Sequence, residues 1–162
     1  MLRLSIPVLA VCLSIAAFGG EDGDPTVPVG AVAPAITGKV WVTEDGVPPE
    51  YQGKVYLVDF WFASCVSCIE AMPTLNKLSK KYESKGLLVL GLSTDPLSIV
   101  KLTKEKHKLK YPLLTEAKPS EKAWKVEFFP SLFLVGKDGK VAWKGDVSDK
   151  KLPEVIEAAL AK

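Results

Sequence analysis

Val55-Tyr56-Leu57-Val58-Asp59-Phe60-Trp61-Phe62-Ala63-Ser64-Cys65-Val66-Ser67-Cys68 is the stretch on which the reading of this chain turns. Val55 to Phe62 is apolar or aromatic except for one aspartate, the pattern of a strand buried on both faces. Beyond it, Ile69, Met72, Leu75, Leu78 and Tyr82 recur at helical spacing, so the strand passes into a helix. Cys65 and Cys68, two residues apart, fall in the first turn of that helix and can close a small disulfide ring. The positive end of the helix dipole lies there and favours thiolate over thiol at Cys65. A dithiol in that position is suited to thiol–disulfide exchange.

Leu87 to Leu92 returns as a second continuous apolar strand, and strand–helix–strand of this kind predicts a parallel, right-handed crossover. Thr94-Asp95-Pro96 opens a helix from about Leu97 to Leu109. Pro112 to Leu114 reads as a short extended piece, and Ser120 to Val126 as a short helix. Ser131 to Val135 and Lys140 to Trp143 flank Gly136-Lys137-Asp138-Gly139, a hairpin signal. Leu152, Val155, Ile156, Ala159 and Leu160 form the apolar stripe of a last helix. Upstream, Lys39 to Val42 reads as a short strand, followed by turns through Gly46, Pro48, Pro49 and Gly53. The pattern predicts an α/β domain, a mixed sheet with helices on both faces.

Of the 162 residues, the first nineteen read as a secretory signal peptide. Met1-Leu2-Arg3 is a short basic start, Leu4 to Phe18 an apolar core, and Ala17-Phe18-Gly19 a small-residue cleavage site. The apolar stretch is shorter than the ~20 residues that span a bilayer comfortably. Membrane association is expected only if the segment stays uncleaved. Cys12 lies inside it, and Val11 before it does not suit lipid attachment. Residues 20–29 read as a linker and 30–162 as the folded domain. Processing leaves Cys65 and Cys68 as the only cysteines, which points to redox work rather than stapling in an exported protein. The formal charge is +2, and Arg3 is the only arginine. Lysines alternate with acids along helix faces, as solvated surfaces do, so no nucleic-acid partner is expected.

Three residues stand out around the cysteines. Asp59 lies in an apolar strand, where an unpaired carboxylate is costly, so it should be protonated, hydrogen-bonded or functional. The functional reading is an acid of raised pKa that takes the Cys68 proton. Pro130, in Phe128-Phe129-Pro130-Ser131, opens the hairpin's first strand; trans and cis forms are both compatible with that place. Pro73 predicts a kink in the cysteine helix. His107 and the four tryptophans read as packing residues, with Trp61 beneath the cysteines.

With these pieces in order, the chain resembles the thioredoxin-like superfamily, and within it the exported TlpA/ResA-type thiol–disulfide oxidoreductases. The matching segments are Gly53 to Trp61, the Cys-x-x-Cys, Met72-Pro73, Pro130 and Lys137-Asp138-Gly139, with Leu90 to Asp95 and Tyr111 to Leu114 as an extra strand–helix region. The resemblance implies a three-layer thioredoxin-like fold. It implies Cys65 as nucleophile, Cys68 as resolving thiol, Asp59 as proton acceptor and Pro130 as a cis-proline lining the substrate groove, beside Phe129 and Ser64. It also implies an extracytoplasmic monomer that acts on protein disulfides, draws on an upstream thiol donor and needs no cofactor or metal. Cytochrome c maturation is one role of this branch. Ser64 replaces the family's usual tryptophan, Val66-Ser67 lacks its common proline or histidine, Ala71 stands where a glutamate is frequent, and Phe129 is bulky for its place. Without histidine between the cysteines, a reductant is expected over a strong oxidant, in a family whose potentials span about 150 mV, or ~7 kcal/mol. Two alternatives share the fold. A peroxiredoxin-like peroxidase would carry proline and threonine where Val58 and Phe62 stand, and a copper-binding chaperone would space its cysteines by three and use a nearby histidine.

Overall fold

All 7 residues of strand β2 (Val55–Trp61) are buried. The computed structural model, which describes residues 26–162, sets this strand inside a six-stranded sheet of order β1-β4-β3-β2-β5-β6. Its companions are β1 (Trp41–Val42), β3 (Leu87–Ser93), β4 (Leu113–Leu114), β5 (Ser131–Val135) and β6 (Val141–Gly145). β2 runs parallel to β3 and antiparallel to β5, and β3 runs parallel to β4. The outer pairs, β1 with β4 and β5 with β6, are antiparallel, so the sheet is mixed. The helices are α1 (Val66–Tyr82), α2 (Leu97–Lys106), α3 (Lys118–Ala123) and α4 (Leu152–Leu160).

Alternation along β2 divides the core. Val55, Leu57 and Trp61 share one cluster with Met72 and Leu75 of α1, Val100 of α2 and Ile156 of α4. Tyr56, Val58 and Phe60 share the other with Trp124 beyond α3 and with Phe133 and Val27. Helices therefore cover both faces, the three-layer arrangement expected of the sequence. By the same period of two, Asp59 falls on the face covered by α1. Packing also reaches further back than the expected boundary at residue 30. Thr26 and Val27 are buried, and the Val27 N–H bonds to the Trp124 carbonyl at 3.3 Å. The expected signal segment, with Cys12, lies outside the described residues.

Several elements are shorter than expected, for local reasons. α2 stops at Lys106, because His107 caps it and Lys108 adopts a left-handed conformation with φ 52°. The short helix before β5 spans Lys118–Ala123 and not Ser120 to Val126; Trp124 caps it and Lys125 is left-handed with φ 53°. Pro73 does not end α1, which continues through it to Tyr82. The hairpin closes as its sequence predicts: Gly136 N–H bonds to the Lys140 carbonyl at 2.9 Å, and Gly139 takes φ +74°.

Gly91 is required by packing. It pairs with Asp59, and a Cβ on it would lie 2.5 Å from Leu113 Cδ2, 3.0 Å from Trp61 Nε1 and 3.2 Å from Tyr111 Cε2. Gly91→Ala is expected to destabilise the domain by about 1–3 kcal/mol through overpacking. Urea unfolding monitored by tryptophan fluorescence measures this, and an unchanged midpoint would contradict it.

Candidate active site

Cys65 is the N-cap of α1, in an extended conformation at φ −82° and ψ 105°. Its own N–H bonds to the Phe62 carbonyl at 3.1 Å, and the Ile69 N–H closes the first helical turn on the Cys65 carbonyl at 3.1 Å. Cys65 Sγ accepts the Cys68 N–H at 3.2 Å, the place that a serine or aspartate oxygen takes in an ordinary N-cap. The two cysteines are joined in a disulfide, with their Cα atoms 5.2 Å apart. No acidic residue occupies the first turn, so nothing in it opposes a negative sulfur. Ser67 Oγ lies 3.5 Å from Cys65 Sγ, within reach of a weak hydrogen bond. Cys65 is 7% exposed and Cys68 1%, so the pair has an outer and an inner member.

Asp59 lies on the α1 face of β2, 1% exposed, and neither carboxylate oxygen has a hydrogen-bond partner among the described residues. Burial raises its pKa from 3.8 to about 7. No favourable partner offsets that desolvation. Two further buried polar groups lack partners: Trp61 Nε1, which borders the space that Gly91 leaves beside it, and Tyr111 Oη, on a ring whose Cε2 borders the same space. The Tyr111 hydroxyl is itself held well above 10, first by burial and then by the Asp59 charge. Trp61 lies beneath the site, as expected.

The Phe129–Pro130 peptide is cis. The Phe129 ring meets that of Phe62 edge-on, with centroids 5.1 Å apart, which joins the loop before β5 to the turn before Cys65. Ser64 is exposed on that turn. Val66, 72% exposed, and Phe128, 71% exposed, are the large apolar side chains left open on these two segments. Phe128, Ser131 and Lys144 also line a cavity of about 240 Å³ beside Pro130. His107 lies apart, at the end of α2. Among the described residues no group of three or more His, Cys, Asp or Glu side chains could hold a metal ion.

Three residues of this neighbourhood are given no part in the site by the sequence. Tyr111 is an aromatic in a short extended stretch, with nothing to mark its approach to Asp59. Ser67 is marked only as part of the pair that lacks the family's common proline or histidine. Asp95 is read as a helix opener, yet its carboxylate accepts the Ala63 N–H at 2.6 Å. The polar run Ser93-Thr94-Asp95 at the end of an apolar strand is the one available signal.

Asp59 makes stability depend on pH in an unusual sense. The unfolded chain releases this proton near pH 3.8, the folded chain only near 7, so stability falls as pH rises between those values. Asp59→Asn removes the loss. It is expected to stabilise the domain by up to about 4 kcal/mol at pH 8 and hardly at all at pH 4. Equal effects at the two pH values in denaturant titrations would contradict the assignment.

The AhpC/TSA family model matches residues 29–144. Thiol-disulfide oxidoreductase ResA from Bacillus thuringiensis subsp. konkukian is 34% identical over 113 residues, 67% of this chain and 65% of that protein. The chain thus spans a little under two thirds of the curated relatives it first matches. In structure it is similar to the thioredoxin domain of a thiol-disulfide oxidoreductase from Bacteroides vulgatus, with a TM-score of 0.72 and 30% identity over 83% of this chain and 99% of that one. A thiol:disulfide interchange protein from Bacteroides sp. gives a TM-score of 0.69 at 30% identity, over 84% and 92% of the two chains.

Proposed function

The chain belongs to the AhpC/TSA family, and from that membership we propose that it is an exported thiol–disulfide oxidoreductase working as a reductase of protein disulfides. The observation that carries the proposal is the Cys65–Cys68 disulfide at the N-cap of α1, on the face of the sheet that also holds the buried Asp59. The similarity to ResA supports it.

In the reduced state the Cys65 thiolate attacks one sulfur of a substrate disulfide. The new bond is a mixed disulfide, and the other substrate sulfur leaves as a thiolate and takes a proton. Cys68 then gives its proton to the Asp59 carboxylate and attacks Cys65 Sγ. The Cys65–Cys68 bond forms as the mixed disulfide breaks and the second substrate thiolate departs. The substrate gains two electrons; its first sulfur takes a proton from solvent and its second the proton held by Asp59, and an upstream thiol donor later reduces the Cys65–Cys68 disulfide again. The dithiol itself carries the electrons, so no cofactor enters these steps.

Exposure divides the labour: Cys65, the outer sulfur, meets the substrate, and Cys68, the inner one, resolves. Asp59 is ionised as a base only above about pH 7, so resolution should quicken as pH rises through that value. Ser64, Phe129 and Pro130 form the rim for the substrate segment, with Val66 and Phe128 as its apolar edges. The reducing direction follows from the modest support for a negative sulfur at Cys65. Ser67 is the only polar side chain between the cysteines, and a less stabilised thiolate makes a better reductant. Export rests on residues 1–19, read as a signal peptide that a short linker joins to the domain, whose packing begins at Thr26 and Val27; the site then works outside the cytoplasm.

Insulin-disulfide reduction tests the assignment of the sulfurs. Cys65→Ser is expected to abolish turnover, and Cys68→Ser to accumulate a mixed disulfide visible on a non-reducing gel. Full activity in either variant would sink the mechanism. Asp59→Asn should flatten the rise in resolution rate between pH 6 and 8, measured by stopped flow as the mixed disulfide decays in a chain that keeps Cys68. Direct assay should find no peroxide consumption and anaerobic titration no tight copper site; either activity would replace this reading. The Cys65–Cys68 reduction potential decides direction, with a value near that of thioredoxin, about −270 mV, expected.

A further inference from the structure

Asp95 ends the loop between β3 and α2, outside both the cysteine helix and the Pro130 element. Its Oδ2 accepts the Ala63 N–H at 2.6 Å and the Ser93 hydroxyl at 2.9 Å. Ser93 Oγ in turn accepts the Asp95 N–H at 3.1 Å, so side chain and backbone hold one another. The segment is also braced from β4's far end. The Asp95 carbonyl accepts the Glu116 N–H at 3.0 Å, and the Ser93 carbonyl accepts the Ala117 N–H at 2.8 Å. The carboxylate is therefore a fixed acceptor.

We propose that Asp95 is a positioning residue for Cys65, its carboxylate pinning the turn before the nucleophile so that the first turn of α1 can hold a negative sulfur. The proposal rests on the redox function proposed above. Ala63 lies two residues before Cys65. With its N–H held by Asp95, the neighbouring Phe62 carbonyl is left facing the Cys65 N–H, at 3.1 Å. The Phe62 ring is held separately by Phe129. The turn is thus clamped from two sides, and the orientation of Cys65 Sγ toward the Cys68 N–H depends on it. An N–H bound to a carboxylate makes a stronger clamp than one bound to a neutral oxygen.

The charge of Asp95 has the opposite effect, since a second negative charge near the start of α1 disfavours a thiolate. Loss of the clamp and loss of the charge can therefore be separated. Asp95→Asn keeps an acceptor oxygen for Ala63 and removes the charge; Asp95→Ala removes both.

The test uses the full chain and two readouts: iodoacetamide alkylation of reduced Cys65 at pH 7, and the equilibrium of the Cys65–Cys68 couple with glutathione. Asp95→Ala is expected to slow alkylation about two- to five-fold, the scale of a helix N-terminal stabilisation. It should shift the glutathione equilibrium toward disulfide by a similar factor. Asp95→Asn should alkylate at the wild-type rate or faster. Unchanged values in Asp95→Ala, or equal slowing in Asp95→Asn, would overturn the proposal. Should Asp95→Ala fail to fold, Ser93→Ala releases the same carboxylate and should slow alkylation in the same direction; no change there overturns it equally. Neither readout requires a protein substrate. A wild type inactive on insulin that still shows the Asp95→Ala shift removes the reductase reading and keeps the clamp. An active wild type with an unshifted Asp95→Ala does the reverse.

Discussion

A carboxylate held inside a strand with no exposed position is the constraint on which this site depends. Asp59 occupies the face of β2 that α1 covers, and no partner offsets its desolvation. A residue chosen only for stability at that position would be apolar, because a buried unpaired charge is among the costliest features of a core. The surroundings are shaped to the same end. Gly91 opposite it has no side chain, and the rings of Trp61 and Tyr111 close over the space. Each brings one buried polar atom without a partner. A local rule is broken here in several residues at once, as happens at functional positions.

The cysteines meet the opposite electrostatics. The start of α1 favours negative charge through its free N–H groups, and Cys65 Sγ already accepts one of them. One face of the sheet therefore carries a sulfur whose ionised form is favoured and a carboxyl whose neutral form is favoured. Groups pushed apart in this way hold different protonation states near neutral pH. Three connections meet at the C-terminal end of β2 to keep the arrangement in place: the turn before Cys65, the β3–α2 loop through Asp95, and the loop before β5 through Phe129. Open α/β sheets place their sites at such ends because loops from several strands converge there.

The elements that could be read from sequence are those with strong local signals. β2 and β3 are continuous apolar runs, α1 and α4 carry helical stripes, and Gly136 to Gly139 closes a hairpin. Asp59 and the cysteines could be read because each is chemically out of place in its local pattern. Boundaries were less legible. α2 and α3 end where Lys108 and Lys125 turn left-handed, a conformation that lysine does not advertise. Val27 reads as part of a linker, yet it packs near Trp124, almost a hundred residues away in sequence. Such contacts leave no periodicity to detect.

The strand–helix junction, the cysteine pair and the lone aspartate behind it are readable from residue order alone, because spacing and local polarity encode all three. What surrounds them comes from folding. Asp59 has no partner from either strand beside it, where Gly91, 32 positions further along the chain, has no side chain and Leu132 has an apolar one. The turn before Cys65 is held by Asp95, which sequence alone reads as the opening of another helix. Proton affinity and orientation depend on groups brought together by the crossover from β2 to β3. The folded sheet, and not the order of residues, sets those distances.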